Sequence, residues 1–275
     1  MSASGGLCIR RFSAVVLVGG LIFLYVPTLV VIVYSFNDSR LGGVWTSASL
    51  RWYGELFSDR QFLRATANSF VVATLSATLA AILGTLAGLA LARMGAFRGR
   101  VLFGALLTTP LVMPEVITGL SLLLLFVAAE QTLGLWSGRG IGTIVIAHAS
   151  LAMAYVALIV QARLSGMSRE LEEAAADLGA RPWTVFIAVT LPMIAPAIAA
   201  GWLLAFVLSL DDLVIASFVS GPQSTTLPMA VFSSVRLGVS PKINALTTLL
   251  VVFSALCLMG AVWLQSRRNG RPWSS

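Results

Sequence analysis

The chain has 275 residues, of which 58% are hydrophobic and only 11% are charged, and its mean hydropathy is +0.92. A soluble globular domain carries about 25% charged residues, because its surface must be hydrated. The charged residues here are clustered between long uncharged stretches. The composition therefore indicates an integral membrane protein and excludes a soluble enzyme and a disordered chain.

The net charge of +7 and the pI near 10.4 would also suit a nucleic-acid-binding protein. Such a protein needs a basic stripe or cluster. The arginines and the single lysine, Lys242, lie instead in short groups between apolar runs, which favours charges beside a membrane and no nucleic-acid partner. Cys8 and Cys257 lie in or beside apolar segments at opposite ends of the chain, so no disulfide framework is indicated.

Six apolar runs are each long enough to cross about 30 Å of hydrocarbon. They predict an all-α integral membrane fold with spans at residues 13–35, 66–92, 101–129, 141–161, 194–218 and 244–265. The first run is longer than a signal-peptide core of about 7–15 residues, so we interpret it as an uncleaved anchor. We expect residues 1–275 to form a single transmembrane domain.

The connections between the spans predict the orientation. With the N-terminus inside, 11 basic residues fall on the cytoplasmic side and 7 on the other side, so both termini are expected in the cytoplasm. The outer connection carries Trp45, Trp52 and Tyr53, which suits an interfacial segment with an aromatic anchor. Gly84 and Gly88 form a GxxxG pattern, which predicts close helix packing.

The chain has few of the residues that catalytic and cofactor sites require. The only histidine, His148, lies inside an apolar span, where an interhelical hydrogen bond is favoured over a proton relay. One histidine and two distant cysteines cannot form a His/Cys metal cluster. Lys242 is followed by Ile243, so the chain has no P-loop. Ser150 beside His148 is only a weak indication of an intramembrane hydrolase, and we predict neither an enzyme nor a cofactor.

The inner connection, residues 162–193, carries the strongest pattern. Ser168 is a good N-cap residue, and Glu170 and Glu172 complement the dipole of a following helix. Gly179 can close that helix in the left-handed conformation, and Pro182 suits the first turn of a second short helix. Helical spacing places four apolar residues on one face, Leu171, Ala174, Ala175 and Leu178. The pattern predicts a helix-turn-helix on the membrane surface, with a smooth ridge that fits a partner's groove.

These residues resemble the EAA loop of permease subunits of binding-protein-dependent ABC importers, whose pattern is E-A-A-x3-G-x9-I-x-L-P. The chain has Glu173-Ala174-Ala175, three residues, Gly179, nine residues, and then Val189-Thr190-Leu191-Pro192. Val189 in place of isoleucine is the single departure. The six spans, and the position of the motif between the fourth and the fifth, also match the family, so the resemblance covers essentially the whole chain.

Further segments resemble the polyamine branch of that family, the putrescine and spermidine permeases, and most of all its putrescine type. They are Tyr34-Ser-Phe-Asn37, Arg51-Trp-Tyr-Gly54, residues 110–121, Leu208-Ser-Leu-Asp-Asp-Leu-Val-Ile-Ala-Ser217, Phe218-Val-Ser-Gly-Pro222 and residues 239–246.

The resemblance implies the type I importer permease fold in the bacterial inner (plasma) membrane. It implies a homologous second permease, a periplasmic polyamine-binding protein and two ATPase subunits, which would bind the ATP that this chain cannot hold. It also implies ATPase docking through the EAA loop, at Glu173, Ala174, Ala175, Gly179, Leu191 and Pro192.

Three carboxylates lie inside predicted spans, at Glu115, Asp211 and Asp212. Each costs roughly 2.5–3.5 kcal/mol near the bilayer centre, so such residues normally face a cavity or a partner. Counted at 1.5 Å per residue, all three lie at similar depth, past the midplane toward the outer face. Pro110 and Pro114 can break the third helix there. The cluster predicts a cation pathway; the alternative is that the two aspartates cap a broken helix or bond a partner subunit.

The leading prediction is a permease subunit of an ATP-driven polyamine importer. The alternatives are a permease of an ABC importer for another substrate, such as a metal cation or an oxyanion, and a stand-alone cation-coupled secondary transporter. The intramembrane acids argue against the oxyanion, and a secondary transporter would have no use for an ATPase-docking loop.

Overall fold

A computed structural model of the chain describes residues 3–39, 44–134, 138–236, 241–252 and 259. These residues are mostly helical, and a single isolated bridge, between Asn37 and Ala48, is the only β pairing among them. The prediction of an all-α fold is confirmed. The α-helices are α1 (Ala3–Tyr34), α2 (Arg51–Ser58), α3 (Arg60–Arg93), α4 (Arg100–Val112), α5 (Glu115–Leu133), α6 (Ile141–Ser165), α7 (Glu170–Asp177), α8 (Pro182–Val185), α9 (Leu191–Asp211), α10 (Val214–Val219), α11 (Leu227–Arg236) and α12 (Pro241–Val252).

Five helices in the described part of the chain are long and apolar enough to cross a membrane. They cover Val15–Tyr34, Arg60–Arg93, Glu115–Thr132, Ile141–Ser165 and Pro182–Asp211. They correspond to the first five predicted spans. Of the predicted sixth span, 244–265, only the part in α12 and residue 259 are described, so the count of six stays a prediction.

The third and fifth predicted spans are each interrupted. The third divides into α4 and α5 at Met113 and Pro114, both of which are extended, with ψ angles of 139° and 134°. The ring of a proline disfavours helix at the residue before it, so Pro114 accounts for this break. The prediction that Pro110 also breaks the helix is wrong, because α4 continues through it to Val112. The fifth span is interrupted after Asp211.

The chain forms two compact units, residues 1–60 with 231–275, and residues 61–230. In the first unit, the buried Asn37 organises the outer connection: its Nδ2 donates to the Val44 carbonyl (2.7 Å), and its Oδ1 accepts from the Thr46 amide (3.0 Å). Trp52 is 4% exposed and donates from Nε1 to the Asn37 carbonyl. Of the three aromatic residues predicted to suit an interfacial anchor, Trp52 cannot serve as one, because its ring is buried and its side-chain donor is used within the protein, whereas Trp45 is 48% exposed.

Ion pairs connect α2 with α12 in the same unit. Glu55 pairs with Arg51 at 2.8 Å and with Lys242 at 3.4 Å. The hydrogen bond from Arg51 lowers the pKa of Glu55 below its usual value, and the hydrogen bond from Lys242 adds a smaller effect in the same direction. This carboxylate therefore stays charged in mildly acidic solution.

In the second unit, α3, α6 and α9 pack closely where α3 and α9 present glycines. A Cβ atom added at Gly84 would lie 2.7 Å from the Met153 carbonyl oxygen, and one at Gly88 would lie 2.8 Å from that of Ala157. Val156 of α6 is fully buried and also lies against Gly201 of α9. The prediction of close packing at the GxxxG pattern is confirmed, and these contacts position the elements of the site described next.

Candidate substrate cavity and docking segment

The two helix breaks and α6 enclose a cavity of about 290 Å³. Its walls come from Glu115 at the start of α5, from one face of α6 including His148 and Tyr155, and from residues 207–209 and 211–215 around the second break. The structure therefore brings the three predicted acids, Glu115, Asp211 and Asp212, to one cavity. Tyr155 and Ser209, which also line it, were not predicted, because neither residue type is unusual in an apolar helix.

Asp212 is occupied with structural contacts. Its Oδ2 accepts a hydrogen bond from the Ala216 amide (2.8 Å), and its Oδ1 accepts from the Ile215 amide (3.3 Å). These bonds satisfy amides of the first turn of α10, which have no partner within that helix. Asp212 thus caps the helix after the break, which was the alternative considered for the aspartates from the sequence.

His148 of α6 contacts the same carboxylate. Its Nε2 lies 2.9 Å from Asp212 Oδ2, and its Nδ1 lies 2.7 Å from Ser209 Oγ on α9. His148 is only 4% exposed, so both ring nitrogens have partners within the protein. The predicted interhelical hydrogen bond is confirmed.

Glu115 and Asp211 differ from Asp212 in both exposure and contacts. Both are exposed, and the side chain of neither makes a hydrogen bond or ion pair to any residue that the structure describes. Glu115 is the first residue of α5, where a carboxylate interacts favourably with the helix dipole. A close approach of α5 to α10 fixes the cavity wall, since a Cβ atom at Gly119 would lie 2.7 Å from the Phe218 ring.

The inner connection contains the predicted helix and turn. α7 has Glu170, Glu172 and Glu173 in its first turn, as expected. Gly179 has a φ of +82°, donates from its amide to the Ala176 carbonyl (2.8 Å), and is followed by a bond from Ala180 to Ala175 (3.1 Å). This pair of bonds is a Schellman motif, and the predicted left-handed closure at Gly179 is confirmed.

Two details of this segment were predicted wrongly. Ser168 is not the N-cap of α7: Arg169 occupies that position, and its carbonyl accepts the first helical bond, from Glu173 (2.9 Å). The second helix begins at Pro182 as predicted, but it is not a separate short helix. It continues through a π-helical turn, Phe186–Thr190, directly into α9, so one helix extends from the docking segment to the cavity.

The predicted docking residues lie on both parts of this segment. Glu173, Ala174 and Gly179 are exposed and Ala175 is half-buried on α7, while Leu191 and Pro192 begin α9. Two large apolar side chains of the same segment are exposed: Leu178 is 90% exposed and Trp183 is 69% exposed. Apolar side chains this exposed at the ends of short polar helices are typical of a surface that a partner covers.

Comparison with protein families identifies the chain. Residues 80–270 match the family described as "Binding-protein-dependent transport system inner membrane component". The chain belongs to this family. Members are components of membrane transport systems rather than enzymes, so the predictions of a multi-pass membrane protein and of no catalytic activity are confirmed.

Curated relatives at high identity are polyamine permeases. The putrescine transport system permease protein PotI of Escherichia coli (strain K12) is 57% identical over 237 residues, which are 86% of this chain and 84% of that protein. The spermidine/putrescine transport system permease protein PotC of the same organism is 38% identical over 239 residues, covering 87% and 88%. The resemblance to the polyamine branch is confirmed.

Solved structures of ABC importers share the fold. A bacterial alginate ABC transporter, in complex with an alginate pentasaccharide-bound periplasmic protein, matches with a TM-score of 0.73 at 17% identity, covering 98% of this chain and 96% of that one. The MetNI methionine ABC transporter matches with a TM-score of 0.60 at 16% identity, covering 76% and 96%. The chain therefore has the type I ABC importer permease fold.

Proposed function

We propose that this protein is a permease subunit of an ATP-driven importer of putrescine or spermidine. The identity of 57% with a putrescine permease, over most of both chains, is the observation that carries the proposal. The cavity agrees with it, because its free carboxylates suit a cation and no lysine or arginine in the described part of the chain lines it. An oxyanion would meet repulsion at the same place.

The assembly proposed for this chain follows its family. A homologous second permease would complete the translocation pathway, two ATPase subunits would bind ATP, and a periplasmic binding protein would deliver the polyamine. We place the complex in the bacterial inner membrane, with six spans surrounded by lipid and both termini in the cytoplasm. ATP-driven closure of the ATPases would shift the population between inward-facing and outward-facing states.

Reconstitution tests this proposal. The four kinds of subunit proposed above would be purified and placed in proteoliposomes, with labelled putrescine outside and ATP inside. Uptake that requires ATP and the binding protein is expected. Uptake driven by an ion gradient without any ATPase would show a secondary transporter instead. If the complex took up another solute but no polyamine, the proposed substrate would be wrong.

Within the site, we propose that Asp211 and Glu115 contact the polyamine, whereas Asp212 serves mainly to hold the cavity wall. Both proposed contacts are exposed carboxylates at one cavity, and neither has a partner in the described residues. A carboxylate that already accepts from two amides and a histidine has less capacity for an ammonium group. We therefore assign different roles to the two adjacent aspartates, which the sequence alone did not distinguish.

Thiol labelling tests which aspartate faces the pathway. In a background with Cys8 and Cys257 replaced by serine, Asp211→Cys should react with a positively charged, water-soluble thiol reagent, and putrescine should slow the reaction. Asp212→Cys is the matched comparison and should react more slowly. Equal reaction at both positions, without protection by putrescine, would contradict the assignment.

We also propose that α7 and the start of the following helix dock on the ATPase, as the EAA motif implies. The exposed Leu178 and Trp183 support a covered surface at this position. Leu178→Glu should reduce copurification of the ATPase while the permease still inserts.

A further inference from the structure

One side chain in the docking segment contacts two separate membrane helices. Glu172 of α7 uses both carboxylate oxygens: Oε1 accepts a hydrogen bond from Thr190 Oγ1 at 2.9 Å, and Oε2 lies 3.1 Å from Arg93 Nε. Arg93 is the last residue of α3, and Thr190 ends the π-helical turn that leads into α9. The side chains of Glu172 and Arg93 are only 19% and 17% exposed, and Thr190 is 5% exposed.

The contact with α3 matters because α7 is not adjacent to α3 along the chain. α7 is joined covalently to α6 before it and to the α8–α9 helix after it. Its connections to α3 are the Glu172–Arg93 ion pair and a hydrogen bond from Arg169 Nη2 to the Ala92 carbonyl (3.3 Å). These polar contacts join α7 directly to α3, whereas its other link to α3 is indirect, through α6, which packs against both α3 and α9.

Burial makes the ion pair hard to replace with water. Arg93 Nε and Nη2 are both inaccessible to solvent, and the described residues offer neither of them a well-aligned hydrogen bond. Glu172 is the one carboxylate in the described part of the chain within ion-pair distance of this guanidinium. A buried charge that loses its counter-charge is strongly disfavoured, so Arg93 should follow Glu172 when α7 moves.

The contact between Glu172 and Thr190 lies at the end of the π-helical turn. π-turns place an extra residue in the helix and frequently lie at functional sites. Here the turn separates the docking end of the helix from the end that reaches Asp211, and Thr190 is held to α7 at the point where regular helix resumes.

We infer that Glu172 is the positioning residue that couples the docking helix directly to the packed body of α3, α6 and α9, through Arg93 on one side and Thr190 on the other. This rests on the proposed docking of α7 to the ATPase, but it concerns a mostly buried carboxylate that contacts α3 and the π-helical turn. Glu172 thereby determines how much transport follows each round of ATP hydrolysis, rather than whether the ATPase binds.

The test measures putrescine uptake and ATP hydrolysis together in proteoliposomes of the complete importer. Glu172→Gln keeps the acceptor for Thr190 but removes the charge that pairs with Arg93. The ATPase should copurify at the wild-type level and hydrolysis should continue, while uptake per ATP falls at least about fivefold, the lower end of typical coupling effects. Glu170→Gln, an exposed acid on the same helix, is the control and should leave the ratio unchanged.

A double-mutant cycle separates this role from a general loss of structure. Arg93→Gln should lower uptake per ATP as Glu172→Gln does, and the double variant should be no worse than either single one, because both remove one interaction. An unchanged ratio in Glu172→Gln, additive losses, or a loss of ATPase binding in parallel with uptake would each overturn the inference. Absence of ATP-driven uptake in the wild type would instead refute the transport proposal, and this inference with it.

Discussion

His148 of α6 and Asp212 at the second helix break are joined by a hydrogen bond of 2.9 Å between Nε2 and Oδ2. Since the same carboxylate caps α10, this bond fixes the break relative to α6. The cavity wall therefore depends on a polar contact between residues that an apolar core would normally exclude.

Asp212→Asn should consequently lower stability. An amide presents one acceptor oxygen and an NH2 group, so one of the present donors would face another donor. We expect a loss of about 1–3 kcal/mol, as for a buried polar group left without a partner. Thermal unfolding of the purified complex measures it, with Asp211→Asn as the matched control that should melt like the wild type. Equal melting of both variants would contradict the capping role.

Gly179→Val should impair docking. A β-branched side chain resists the φ of +82° at this position, so the chain after α7 should leave in a different direction. The subunit should insert at the normal level, while ATPase copurification and uptake fall. Gly166→Val is a suitable control, because Gly166 lies in the same inner connection with a φ of −86°. Normal uptake in Gly179→Val would count against the docking helix.

Gly84→Ala should destabilise the second unit. The added methyl group would lie 2.7 Å from backbone and side-chain atoms of α6, and overpacking of this kind costs about 1–3 kcal/mol. Gly142→Ala adds the same methyl group where no atom lies within 4 Å, and it should be neutral or slightly stabilising. Steady-state abundance and melting temperature distinguish the two, and equal values would show that α3 and α6 can separate without cost.

The topology can be tested with fusions. The distribution of arginine predicts that reporters placed after Arg98 and after Arg267 are cytoplasmic, whereas one placed after Asp59 is periplasmic. A cytoplasmic reporter after Arg98 would also put the docking segment on the cytoplasmic side, because Glu172 of that segment pairs with Arg93 at the end of α3. An inverted pattern would remove the basis for docking by α7.

Much of this architecture could be predicted, because the length of an apolar run and the position of a proline determine the local structure of the chain. Apolar length located the first five spans, and Pro114 sets the break in the third through its effect on the preceding residue. Counting residues along the helices placed Glu115 at the same depth as Asp211, and the cavity has both in its wall.

The partners in contacts between residues distant in sequence could not be predicted. Whether Asp212 caps α10 depends on where α9 stops, and the pairing of Glu172 with Arg93 leaves no periodic signal. Trp52 looks like an interfacial anchor by residue type, yet tertiary contacts bury it. The helix from Pro182 was predicted too short, although residues 182–193 are almost all apolar and continue without a charged residue into α9.

We propose above all that the free carboxylates of the cavity bind the polyamine during transport. ATP-dependent uptake of labelled putrescine and spermidine, normalised to subunit abundance, tests it most directly in Asp211→Asn and Glu115→Gln. Neutralisation should not harm insertion, since each charge is unfavourable in hydrocarbon. We predict normal abundance, normal ATPase association and strongly reduced uptake, most severely for Asp211→Asn. Full uptake in both variants would contradict the claim.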